Sequence, residues 1–89
     1  MGKGDIGWKR RTDEGEKREV SAKKIGKVWK FSVREKRFDR WTELKSPPLE
    51  DWQLLLDAVR RRISRKLIPE KEEHLLIKTI LQHFPKASL

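Results

Sequence analysis

The sequence contains no cysteine. Disulfides and thiolate metal sites are therefore excluded as means of stabilising a core in a chain of only 89 residues. No apolar run is long enough to span a bilayer and no signal-peptide pattern opens the chain, so no membrane association is expected, and a cytoplasmic location is the simplest expectation. Nothing repeats at a fixed period. A glycine-rich phosphate loop is missing, and no serine stands at a readable spacing from a histidine base. His74 and His83 are nine residues apart. At about 100° per residue they point to opposite sides of a helix and cannot chelate one metal ion. His74, at the edge of an apolar stripe, reads as a partly buried helix residue, and His83 as a cation near a helix C-terminus. No catalytic set, metal site or cofactor is expected, and neither is enzyme activity.

What the sequence has in excess is positive charge. The formal net charge is +9, and it is unevenly placed. Residues 1–16 carry as many anions as cations, whereas residues 17–48 carry eleven cations against four anions. Such an excess favours anionic partners, although it also serves solubility. The same middle third interleaves cations with Trp29, Phe31, Phe38 and Trp41.

Residues 1–16 have four glycines and little periodicity, and are expected to form a disordered arm ahead of a single small domain over 17–89. Trp8 is the arm's one large apolar residue, expected to be idle or to fold back on the domain, with insertion into a partner as the lesser alternative. From Lys17 the pattern alternates with period two: Val20 and Ala22 share one side, and Trp29, Phe31 and Val33 share another. Between them Ile25 and Gly26 suit a two-residue hairpin loop, since glycine tolerates positive φ. That loop sets Lys24 opposite Lys27, Ala22 opposite Trp29 and Val20 opposite Phe31. Residues directly opposite share a face, so all five apolar residues fall together. A third strand follows at residues 38–44.

Helical spacing begins after the two prolines at 47 and 48. Ser46 is a candidate cap, and Glu50 and Asp51 stand where the helix dipole favours anions. Leu49, Trp52, Leu56, Val59, Ile63 and Leu67 make one apolar stripe. Pro69 breaks the helix and can begin another, which packs through Leu76, Ile77, Ile80, Leu81 and Phe84. The expected fold class is α+β, a three-stranded antiparallel sheet followed by two helices packed on one face, in the order β-β-β-α-α.

On this reading the Trp29, Phe31 and Val33 side is core, and the opposite face presents Glu19, Ser21, Lys23, Val28, Lys30, Ser32 and Arg34. That face suits phosphate contacts, with cations from Lys23, Lys30 and Arg34 and neutral donors from the serines. A solvated antiparallel face commonly looks the same. Lys36 and Arg37 in the next loop, and the basic residues of the arm, extend the candidate surface. Arg61 and Arg65, away from the helix stripe, can reach phosphates or simply solubilise the helix. Trp41 depends on the second loop. A three-residue loop at 35–37 sets it opposite Phe31 in the core; this buries the larger ring and is the preferred register. A two-residue loop sets it opposite Lys30, as a stacking platform of the kind used on single strands.

The order of three strands followed by a helix resembles that of arm-type integrase and plant AP2-like DNA-binding modules, which lay their sheet on the major groove. The resemblance is one of element order, without a shared motif. It implies contact with DNA through the sheet. The expected function is a small non-enzymatic nucleic-acid-binding module, for DNA or RNA, that works mainly through phosphates. The competing expectation is a protein-interaction or self-association module using Leu54 and Leu75 on the outer helix faces.

Overall fold

The computed structural model describes residues 5–12, 14–26, 28–35 and 39–89. It is α+β, with an antiparallel sheet followed by two helices, and the chain divides into two compact units, residues 1–47 and 48–89.

The sheet has four strands rather than three, in the order β1-β2-β3-β4: β1 Ile6–Arg11, β2 Lys17–Ile25, β3 Val28–Arg34 and β4 Thr42–Leu44. The additional strand is β1, which forms over Ile6–Arg11 within the stretch expected to be a disordered arm; residues 1–4 and 13 of that stretch lie outside the described residues. With a strand ahead of the other three, the likeness in element order to the integrase and AP2-like modules no longer holds as stated. A specific turn makes β1 possible. Thr12 donates its N–H to the carbonyl of Glu16 at 2.8 Å, and Gly15 donates to the carbonyl of Thr12 at 2.9 Å. Gly15 sits at φ +84°, the left-handed region that a hairpin turn needs and glycine adopts at little cost. The Thr12 hydroxyl also accepts from the Glu16 N–H at 3.2 Å.

The β2–β3 hairpin forms one residue further along than expected. Ile25 pairs with Val28, so the loop begins at Gly26, which takes the positive φ of 62°. Ala22 therefore faces Phe31, Val20 faces Val33 and Lys24 faces Trp29. Each partner moves by two positions, and because strand side chains alternate with period two, the faces stay as expected. Ile6 and Trp8 join the apolar face opposite Ala22 and Val20. Ile6, Val20, Ala22 and Phe31 are each at most 2% exposed. Trp8 folds back edge-on against Phe31, with ring centroids 6.0 Å apart, a favoured aromatic geometry.

In the second unit, α1 spans Leu49–Ser64 and α2 spans Lys71–His83. Pro48, not Ser46, is the N-cap of α1 and makes no side-chain cap hydrogen bond. Trp52, Leu55, Leu56 and Val59 of α1 are buried, as are Leu76 and Ile80 of α2. Asp51 in the first turn of α1 is fully buried as well, an unusual place for a carboxylate that no sequence pattern flags. α1 ends in a Schellman motif: Leu67 donates to the carbonyl of Arg62 and Lys66 to that of Ile63, both at 2.9 Å, with Lys66 at φ 61°. This turn takes the chain out of the helix before Pro69. Leu67, expected at the end of the stripe, is 64% exposed. Arg60 Nε donates to Glu73 Oε2 at 2.9 Å, tying α1 to α2. His83 stacks on Trp52, with centroids 5.4 Å apart and planes 21° from parallel. His74, expected to be partly buried, is exposed. Among the described residues no helix is long and apolar enough to cross a membrane.

Candidate nucleic-acid interface

The polar face of the sheet is ordered in rungs, because directly paired residues share a face. One rung runs Lys9, Glu19, Arg34 across β1, β2 and β3. The next carries Gly7, Ser21, Ser32 and Glu43. The one after that has Lys23 directly opposite Lys30, and the last has Ile25 opposite Val28. At about 3.4 Å per residue, the Lys23 rung lies roughly 13 Å along the strands from the Glu19 rung.

Lys9, Lys23 and Lys30 are exposed. Like charges directly opposite on a sheet are unfavourable, and the Lys23 and Lys30 pair is one such contact. Arg34 differs from them. Its Nε and Nη2 both donate to Glu19 Oε2, at 3.0 and 2.8 Å, and this pair is partly buried. The guanidinium is thus held by a carboxylate and is not a ready phosphate ligand.

Trp41 corrects the preferred register. β4 pairs with β3 through Phe31 with Leu44, Ser32 with Glu43 and Val33 with Thr42. Continued by one residue, this register sets Trp41 opposite Arg34, on the polar face. The connection from β3 to β4 covers residues 35–41, longer than either loop expected from the sequence. Trp41 is 38% exposed, and the Arg34 guanidinium carbon lies over its ring, 4.4 Å from the centroid. That is a cation–π contact. An open groove of about 390 Å³ is lined by Gly7, Lys9, Glu19, Arg34 and Trp41, with Trp8 and Val20 at its wall.

The other candidates are more scattered. Lys36 and Arg37 lie outside the described residues. Arg61 and Arg65 have exposed side chains in the helical unit, Arg65 as the C-cap of α1. Leu75 is 51% exposed, whereas Leu54 is half-buried, so only one of the two leucines offered for self-association faces outward. Lys9 is the residue whose place the sequence did not make plain; Glu19 was expected on this face, but not as the direct partner of Arg34. Gly7, Lys9 and Arg11 do alternate with Ile6, Trp8 and Arg10, a faint period-two signal. Among the described residues, no three His, Asp or Glu side chains gather where they could hold a metal ion.

No protein family model matches this chain, and neither a curated protein nor a solved structure is similar to it.

Proposed function

We propose that this protein is a small non-enzymatic nucleic-acid-binding module whose polar sheet face meets the phosphate backbone of DNA or RNA. The observation that carries this reading is the pairing of Lys23 with Lys30, two exposed lysines directly opposite each other. Such a pair costs sheet stability when unliganded, and an anion lying between the two ammonium groups relieves it. Lys9 adds a third cation on the same face, and the serines of the intervening rung are neutral donors to phosphate oxygens. The excess charge of residues 17–48 supplies the wider attraction. No side chain on this face is arranged to read base edges, so binding is weak, general in sequence and steeply dependent on salt.

The test is an amide chemical-shift titration of the full chain with oligonucleotides at two salt concentrations. The reading expects low-salt shifts centred on Lys9, Lys23 and Lys30 that collapse at the higher salt. Silence across residues 19–34 at low salt would overturn it. Shifts confined to residues 50–80 that appear on concentrating the protein without ligand would support self-association through the helices instead.

A further inference from the structure

We infer that the groove beside Trp41 takes an unpaired base, so that the ligand of the sheet face is single-stranded nucleic acid; this rests on the reading of that face as a nucleic-acid surface. Three observations meet at the ring. The Arg34 guanidinium lies 4.4 Å from the Trp41 centroid, and 38% of the residue is still exposed. The guanidinium is itself fixed, because Nε and Nη2 both donate to Glu19 Oε2 at 3.0 and 2.8 Å. Finally, the ring borders the groove of about 390 Å³, in which Gly7 contributes no side chain to fill the space.

Together these form a chain of support. Glu19 holds Arg34, and Arg34 holds the indole, so both are positioning residues for Trp41. A ring fixed before the ligand arrives loses little freedom on binding. Arg34 already has its charge met by Glu19, so this end of the face offers a π-surface more than a phosphate site. Bases stack on such a surface whatever their identity. Within a duplex both faces of each base are already stacked, and presenting one to Trp41 requires unstacking it. A single strand has no such requirement. Lys9 sits on the same rung as Arg34, and the Lys23 and Lys30 pair lies roughly 13 Å further along the strands. Phosphates flanking a base stacked on Trp41 therefore meet lysines.

The experiment follows the Trp41 indole N–H resonance and the affinity of the full chain for four probes. These are oligothymidylate, oligouridylate, a duplex of equal length, and inorganic polyphosphate, which has charge but no base. Both single strands are expected to move the Trp41 indole and to bind about tenfold more tightly than the duplex. Trp41→Ala is expected to remove that advantage while leaving polyphosphate binding unchanged, and Trp41→Phe to restore most of it. Equal affinity for single strand and duplex, with Trp41→Ala neutral, would overturn the inference while the phosphate-binding reading stands. Failure of every oligonucleotide to bind at low salt would overturn both.

Discussion

Lys66 is the one non-glycine residue with positive φ among the described residues, and it holds the C′ position of the α1 Schellman motif. A β-carbon in the left-handed region costs about 1–2 kcal/mol, and glycine removes it at some cost in unfolded-state entropy. Lys66→Gly is therefore expected to stabilise the protein by about 0.5–1 kcal/mol, read as a higher urea midpoint at unchanged slope. Glu19 and Arg34 give the opposite kind of prediction. Their side chains are 26% and 22% exposed, so the pair is neither fully screened nor fully desolvated. Glu19→Gln is expected to cost about 1 kcal/mol. Arg34→Lys keeps the charge but loses the planar fork that contacts carboxylate and indole together. The expected outcome is a shifted and broadened Trp41 indole resonance with near-normal stability. A Trp41 signal indifferent to both substitutions would mean that the ring is not held through Arg34.

At the scale of elements, the β1–β2 hairpin depends on Gly15. A β-carbon there would meet nothing within 4 Å, so Gly15→Ala tests the backbone alone. It is expected to cost about 1 kcal/mol, and Gly15→Asn less, because asparagine tolerates the left-handed region. In the helical unit Leu55 is fully buried, and Leu55→Ala is expected to cost about 2–5 kcal/mol. Leu75→Ala, at a half-exposed site, should lie within about 0.5 kcal/mol of wild type in the same melt. The β2–β3 hairpin was legible because five apolar residues alternate on both sides of one glycine. The choice between a loop ending and a loop beginning at Gly26 was not, since either accommodates positive φ; period two made that error harmless to the faces. β1 was hidden because only Ile6 and Trp8 mark its apolar side, among glycines and charges. The threonine and glycine that close its turn were the available signal. Trp41 was misplaced for a different reason. Its face depends on the register across a connection that no periodic pattern constrains: Val33 pairs with Thr42 where a three-residue loop would set it against Asp39, an odd shift of three that turns Trp41 to the other face. Both helices were legible from apolar spacing and the prolines, but the exposed Leu67 shows that the stripe outlasts the helix by a turn.

At the scale of the whole molecule, the net charge of +9 sets how strongly any polyanion is attracted, and the sheet face sets how many phosphates are met. With Lys9, Lys23 and Lys30 as the phosphate ligands, the logarithm of the single-strand binding constant should fall with the logarithm of salt at a slope of about −2. Lys23→Ala and Lys30→Ala should each flatten that slope by about 0.7, measured by fluorescence anisotropy of a labelled oligonucleotide. Substituting Arg61 or Arg65 should change it less if the sheet is the binding surface. The strand order β1-β2-β3-β4 also bears on how the sheet comes into being. Each strand pairs with its neighbour along the chain, across connections at residues 12–16, 26–27 and 35–41. Closing loops of about ten residues takes only about 10–100 ns, and sheets built from such local pairings fold faster than those that must join distant segments. A ribosome therefore delivers the strands in the order in which they pair, and none has to wait exposed for a distant partner still to be made.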